Sequence, residues 1–288
     1  MATYKYCGIS IESSLDFPEL ERVSESNTQD IVQIKPATVK IRFDHTFSCG
    51  PNWAVGKNEA FWWLDGIVRF RVLKNELHVD ACRDVSFGLI RALCLEAPMI
   101  IAMLYLESFC LNVSSISDGS TVKAFCMLPG GGSSAAVAWN FKKKGYLAFS
   151  DSNLRIQIDK TGRPMAYPQG SGVLLWPKIV QMLKLENWDS LLVREELPLR
   201  RLQLTFCRSV LPLKKIITAS TYRFPEESIQ KDLGATKNRK PFQLAARRTA
   251  GRLWVDAIGI TEQHFLWCLG IAKHCSVVNG SAEEIYPL

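Results

Sequence analysis

A glycine-rich segment between a strand pattern and a helix pattern constrains the fold of this chain most strongly. Residues 122–127 (VKAFCM) have the apolar, β-branched and aromatic content of a buried strand, and residues 134–144 favour a helix. Between them the chain reads LPGGGSS, and residues 146–150 predict a further strand. This order of elements, a strand, a tight glycine turn, a helix and another strand, is typical of an α/β unit.

Length and composition fit one large or two medium domains, because the chain has 288 residues and is 47% hydrophobic. Short strand patterns separated by turn residues predict a small antiparallel β domain over residues 1–82, with a hairpin at Asp65-Gly66. Two apolar helices that break at Pro98 are predicted to link it, over residues 83–110, to a second domain over residues 111–288. The predicted class is α/β, or α+β overall.

The apolar stretch at 87–113 predicts buried helices rather than a membrane span, since Arg91, Glu96, Pro98 and Glu107 interrupt it. The first residues mix polar and apolar types and do not form the pattern of a signal peptide. Nine cysteines are scattered without a CxxC pair or a metal-ligand spacing. These features predict a cytoplasmic protein with reduced thiols and no bound metal.

A basic segment at 200–252 accounts for the net charge of +7, because its many Lys and Arg residues face only Glu226, Glu227 and Asp232. Two interpretations stay open: a solvated face with a mobile loop, or a docking surface for an acidic peptide or for phosphate. Few aromatic residues interleave with the charges, so nucleic acid is not the expected partner. The candidate partner-binding residues are Arg163, Tyr167, Trp176, Lys237, Arg239 and Lys240.

The glycine-rich segment has the setting of a phosphate loop but lacks its usual side chains. In such a loop, backbone N–H groups and the start of a helix surround phosphate oxygens, a lysine neutralises charge, and a Ser or Thr hydroxyl holds magnesium. No lysine occurs between Lys123 and Lys142. The simpler alternative is a turn followed by a helix cap. The candidate loop residues are Gly130, Gly131, Gly132, Ser133 and Ser134.

Several short blocks resemble, in order, the HPr serine kinase/phosphorylase-like proteins of bacterial ribosomal-peptide maturation clusters, especially lasso peptide clusters. The blocks are residues 111–116 (LNVSSI) with Asp118-Gly119, 125–136 (FCMLPGGGSSAA), 145–152 (GYLAFSDS), 165–168 (MAYP), 174–177 (LLWP) and the segment 253–287. The resemblance implies a P-loop kinase-like mixed sheet, as in the C-terminal domain of HPr kinase, after the small β domain.

The resemblance also implies a degenerate active site. The family's loop lysine falls on Ser134, its magnesium-binding serine on Ala135 and a strand histidine on Asn112. Of the family's paired aspartates only Asp151 remains, as the candidate catalytic residue, because Ser152 takes the second position. Phosphoryl transfer depends on positioning and charge neutralisation. Losing these groups together predicts a pseudokinase without conventional ATP-dependent activity.

The leading hypothesis is therefore a non-catalytic component of a peptide maturation pathway that binds an acidic or precursor peptide, or other maturation proteins. We expect no cofactor, with ATP and magnesium bound only if the site is rearranged. One alternative is an active serine kinase or other transferase with a displaced cation, such as Lys123 or Arg155. The other alternative is a structural subunit of an enzyme complex. We expect no nucleic acid and no membrane as partner, and the oligomeric state stays open.

Overall fold

The computed structural model describes residues 1–24, 30–127, 132–170, 172–186, 200–218 and 239–280, and the backbone of 190–192. In this part of the chain, three β-sheets combine with seven α-helices in a mixed α/β fold. Both large sheets contain parallel and antiparallel strand pairs. The predicted α/β (α+β) class is therefore confirmed at this level.

The first sheet contains the nine strands of the N-terminal part, in the order β3-β1-β2-β4-β9-β8-β7-β6-β5. They are β1 Ala2–Tyr6, β2 Ile9–Ser13, β3 Glu21–Val23, β4 Ile31–Pro36, β5 Ser48–Gly50, β6 Trp53–Val55, β7 Ala60–Leu64, β8 Val68–Val72 and β9 Glu76–Ala81. The hairpin prediction at Asp65-Gly66 is confirmed, because β7 and β8 pair antiparallel on either side of this turn.

The prediction that this sheet is small and antiparallel was wrong. Strand β4 runs parallel to β2 on one side and to β9 on the other. Alternation of apolar residues identifies a strand but does not encode the direction of its neighbour. The predicted strand over 39–43 is also absent, since residues 37–44 are all described and irregular. Here the N–H of Val39 donates to Asp80 Oδ2 at 2.9 Å instead of to a strand carbonyl.

Two helices follow the first sheet, α1 Phe87–Cys94 and α2 Ala97–Tyr105. The chain breaks before Pro98, which lies in the first turn of α2, where a helix does not need the missing N–H. Together, Phe87–Tyr105 is long and apolar enough to cross a membrane, with a mean hydropathy of 1.8, and 56% of it is buried inside the protein. Met99, Ile101 and Met103 belong to the main core, as expected for buried helices.

The second sheet follows the order β10-β14-β15-β19-β12-β11-β13, and β20 pairs with β19. Its strands are β10 Phe109–Leu111, β11 Ser114–Ser117, β12 Val122–Cys126, β13 Leu147–Ser150, β14 Leu154–Ile158, β15 Pro164–Tyr167, β19 Leu211–Thr218 and β20 Ser276–Asn279. Helix α3 Ser133–Lys144 connects β12 to β13, as predicted. Strand β12 alternates between two cores: Val122, Ala124 and Cys126 join the main core, and Phe125 packs beneath α3.

The remaining elements cover this sheet. A small third sheet contains β16 Val173–Leu175, β17 Ser190–Leu192 and β18 Arg200–Leu202, with helix α4 Pro177–Met182 after β16. Helices α5 Arg239–Arg248, α6 Arg252–Ile258 and α7 Thr261–His274 precede β20. One continuous core includes residues of the first sheet, α2, the second sheet and α7. The domain boundaries near residues 82 and 110 stay a prediction.

A buried guanidinium joins the two large sheets. Arg155 on β14 donates to the carbonyl of Cys7 at 3.1 Å and to Ser108 Oγ at 3.0 Å, and it pairs with Asp30. Its guanidinium also lies over the ring of Tyr167, 4.7 Å from the ring centroid. A buried charge needs such partners, because desolvation without them is costly. Arg155 therefore depends on the N-terminal part of the chain for two of its three acceptors, Cys7 and Asp30.

Stability should fall in mild acid because of His264. This buried imidazole lies 2.8 Å from Thr249 Oγ1 and packs on Phe109 and Trp267. Burial, and then the nearby Arg252, lowers the pKa of His264 from 6.5 to about 4. Between these pH values His264 binds a proton in the unfolded chain but not in the folded one. Its contribution to stability is therefore fully present above about pH 6.5 and is lost as the pH falls towards 4.

We expect the free energy of unfolding to drop by up to about 3 kcal/mol over this window because of His264 alone. Urea titrations at several pH values measure the decline, and His264→Gln should flatten it. The exposed His45 provides a control, because His45→Gln should leave the decline intact. An unchanged decline in His264→Gln would contradict the assignment.

Candidate functional site

A cavity of about 470 Å³ opens at the start of helix α3, beside the ends of β11, β12 and β16. Its wall combines small polar residues, apolar side chains and two cations. The described lining residues are Asn112, Val113, Ser114, Met127, Gly132, Ser133, Ser134, Ala135, Ser152, Leu174, Leu175, Trp176, Lys178, Ile179 and Arg248. The volume is within the range of small-ligand sites.

The described part of the predicted loop lines this cavity. Gly132 caps α3 with φ 84°, a left-handed conformation that favours glycine, and its carbonyl accepts from the N–H of Ala136 at 2.8 Å. Ser133 and Ser134 form the first turn of α3. Gly130 and Gly131 lie outside the described residues. Asn112 and Ser152, two of the positions singled out by the family resemblance, also line the cavity.

Asp151 lies behind the cavity wall and is only 4% exposed. Its Oδ1 accepts from Ser134 Oγ at 2.6 Å and from Ser114 Oγ at 3.1 Å. Its Oδ2 accepts from the N–H of Leu174 at 2.8 Å, and its own N–H donates to Gln169 Oε1 at 2.5 Å. This one carboxylate therefore connects α3, β11 and β16 to the end of β13.

The electrostatics of Asp151 reflect this setting. Burial raises the pKa of Asp151 above its ordinary value, while the hydrogen bonds from Ser134, Leu174 and Ser114 and the charge of Arg201 oppose the rise. Both oxygens are engaged within the protein. The geometry favours a structural anchor for this residue, and the catalytic role remains a prediction.

Two cations reach the cavity from distant parts of the chain. Lys178 is exposed at the start of α4, and Arg248 ends α5. The main chain at 248–250 runs alongside β10: the carbonyl of Arg248 accepts from the N–H of Asn112 at 2.6 Å, and the N–H of Ala250 donates to the carbonyl of Cys110 at 2.8 Å. The Arg248 side chain is also hydrogen-bonded to the thiol of Cys126.

Sequence reasoning missed the part that Arg248 and Lys178 play in this site. Arg248 belongs to the basic segment, and nothing in its neighbourhood in the sequence relates it to the glycine-rich loop. Only its pairing with β10 brings it to the cavity. Ser114 lies within a block already singled out, but its hydrogen bond to Asp151 depends on how β11 meets β13.

The candidate partner-binding residues are not gathered at one place. Trp176 stands at the cavity and is 52% exposed. Tyr167 instead lies under Arg155 and donates to Gln157 Oε1 at 2.5 Å. The described wall of the cavity also does not include three basic candidates. They are Arg163, which is in the turn before β15, and Arg239 and Lys240, which begin α5. Lys237 lies outside the described residues.

The proposed displaced cations, Lys123 and Arg155, lie elsewhere, contrary to the suggestion that they could serve the loop. Lys123 Nζ donates to the hydroxyl of Tyr146 at 2.7 Å and contacts its ring. Arg155 is engaged with the first sheet. Neither residue belongs to the described cavity wall. Among the residues that the structure describes, no group of three or more His, Cys, Asp or Glu side chains is arranged to hold a metal ion.

Comparison of the chain with protein-family models, with curated proteins and with solved structures finds no match.

Asp151→Ala should destabilise the protein by about 2 to 4 kcal/mol, because it leaves the hydroxyls of Ser114 and Ser134 and the N–H of Leu174 without their acceptor. Urea unfolding measures the loss. Asp159 is a matched control, since its carboxylate accepts the N–H groups of Thr161 and Arg163 in a turn at the surface. Asp159→Ala should cost less than about 1 kcal/mol. Equal losses would argue against the anchoring role.

Proposed function

We propose that this chain is a non-catalytic, HPr-kinase-like binding protein whose cavity holds a peptide or partner segment that carries a negative group. The observation that carries the proposal is the composition of the cavity wall. Arg248 and Lys178 share it with the first turn of α3 and with the exposed ring of Trp176, while Asp151 is engaged in internal hydrogen bonds.

The polar side of the cavity suits an anion. The first turn of a helix has N–H groups without acceptors inside the helix, and the helix dipole adds partial positive charge there. Gly132, Ser133 and Ser134 provide this turn, and Arg248 adds a full charge from the neighbouring wall. A carboxylate or phosphate group of a ligand would be stabilised by both.

The apolar side of the cavity suits an amino-acid side chain. Leu174, Leu175 and Ile179 line it, and Trp176 offers a half-exposed aromatic surface at its edge. Aromatic rings with one exposed face are favourable contacts for peptides, because they bury a large area with little loss of conformational freedom. An acidic peptide with an apolar residue beside its negative group matches both sides.

The hydrogen bonds of Asp151 support binding without catalysis. Magnesium-dependent phosphoryl transfer uses a carboxylate and a loop hydroxyl as metal ligands, with a lysine on the phosphates. Here Ser134, in the position of the lysine, donates its hydroxyl to Asp151. This arrangement fits a P-loop kinase-like domain of the HPr kinase type that has kept its fold and lost its kinase activity. Within the proposal, the protein acts in the cytoplasm as a component of bacterial peptide maturation, without nucleic acid or membrane.

Nucleotide binding separates this proposal from a rearranged kinase. Arg248 is the specific observation that favours the second candidate, because a cation at the cavity could replace the missing lysine. We expect isothermal titration of ATP, with and without magnesium, to show no micromolar affinity, and incubation with labelled ATP to transfer no phosphate to a serine peptide. Micromolar, magnesium-dependent binding would favour the transferase instead.

Peptide binding tests the cavity directly. A synthetic peptide of alternating leucine and glutamate should bind, and the same peptide with glutamine for glutamate should bind at least about tenfold more weakly. Lys178→Glu should weaken binding of the acidic peptide by about tenfold, measured by fluorescence anisotropy. Lys160→Glu is the matched control, because Lys160 is exposed in a surface turn away from the cavity. Equal affinity for the two peptides would contradict the proposal.

A further inference from the structure

Helix α7 presents large apolar side chains on its outer face. Phe265, Leu266 and Leu269 are 47%, 58% and 39% exposed. The ring of Phe265 touches that of Phe242 on α5, with centroids 5.5 Å apart, which extends the apolar surface sideways. Single exposed apolar residues are common, but three on adjacent turns of one helix form a patch of the kind that partners cover.

The inner face of α7 is fully engaged, so the outer residues are not there to complete the core. His264, Trp267, Cys268 and Ile271 are buried. Trp267 Nε1 donates to the carbonyl of Ile156 at 2.9 Å, which fixes the helix on the second sheet. With its core contacts made on one side, α7 needs no apolar residues on the other side for folding.

We call this outer face the α7 stripe, and define it by Glu262, Phe265, Leu266, Leu269 and Lys273. Its two ends carry the charged residues. All five residues are exposed. Glu262, Leu266, Leu269 and Lys273 are spaced by four, three and four residues, which places them in one row along the helix, and Phe265 lies beside Leu266. An acidic group therefore lies at the beginning of the row, a basic group at its end, and apolar groups between them.

We propose that the α7 stripe binds the α7 stripe of a second copy of this chain, with the two helices antiparallel. When the antiparallel pair is centred between Leu266 and Leu269, Leu266 of each copy contacts Leu269 of the other. The same centre brings Glu262 of each copy opposite Lys273 of the other. The stripe is thus complementary to itself in shape and charge, as a twofold interface requires.

Charge complementarity is the argument for a second copy rather than an unrelated partner. Glu262 lies in the first turn of α7 and Lys273 in the last, so both pairs across the twofold axis are of opposite sign. The antiparallel arrangement also places the positive end of each helix dipole beside the negative end of the other. The contact centres on three apolar side chains per copy, which is a small interface. We therefore expect a reversible dimer whose amount depends on protein concentration. This inference does not depend on the proposed function.

The first test is the mass of the protein in solution across a wide range of concentration, measured by sedimentation velocity. The full chain should shift from monomer to dimer as concentration rises. Leu266→Asp should weaken the dimer by at least about a hundredfold, because it places two carboxylates in the apolar centre. Leu253→Asp is the matched control: Leu253 is 76% exposed on α6, outside the α7 stripe, and its replacement should leave the dimer unchanged.

The second test exchanges the charges. Glu262→Lys and Lys273→Glu alone should each weaken the dimer by about tenfold, since each creates two like-charge contacts. The double variant Glu262→Lys/Lys273→Glu should restore the dimer, because every pair is then again of opposite sign. Thermal unfolding of each variant separates loss of association from loss of fold, which matters because these replacements also oppose the helix dipole.

Three results would overturn the proposal. The first is a protein that stays monomeric at every concentration. The second is a dimer that is equally stable in wild type, Leu266→Asp and Leu253→Asp. The third is a well-folded double variant that stays as weak as the single variants, which would exclude the antiparallel pairing.

Discussion

One buried positive charge, that of Arg155, links the two large sheets of the molecule. Arg155 belongs to the second sheet, but its acceptors include the Cys7 carbonyl and Asp30 of the N-terminal part. A buried guanidinium without acceptors is strongly destabilising. The hydrogen bonds of Arg155 on the second sheet are therefore complete only when the N-terminal part is folded against it. The continuous apolar core that includes residues of both sheets has the same consequence. The two halves of the chain therefore stabilise each other, although their strand patterns look independent in the sequence.

A buried negative charge has the corresponding role at the cavity. Asp151 precedes Arg155 by only four residues, and it holds Ser134, Ser114 and Leu174 in a fixed relation. The carboxylate is thus the anchor of the cavity wall, to which α4 and α5 contribute the cations Lys178 and Arg248. Under the proposed function, this wall is the surface that holds the ligand.

The basic segment shows how folding divides a feature that is continuous in sequence. Arg248 goes to the cavity and contacts the thiol of Cys126, Arg252 lies near Asp256, and Arg201 interacts with the charge of Asp151. Each of these cations has a neighbour of its own. One docking surface made from the whole segment stays a prediction. The apolar stripe on α7 is a different surface with balanced charge.

Local sequence determined many of the elements and the unit around the glycine-rich turn, although the strand expected over 39–43 did not form. The strand before it, the helix after it and the hairpin at Asp65-Gly66 all depend on short-range preferences, such as apolar periodicity and glycine conformations, which neighbouring residues encode. Tertiary structure decided the rest. The parallel direction of β4, the arrival of Arg248 at Asn112 and the hydrogen bonds that engage Asp151 all join residues far apart in the chain. Such contacts depend on the packing of the whole core, and no local pattern specifies which distant partner will satisfy a given backbone group or buried charge.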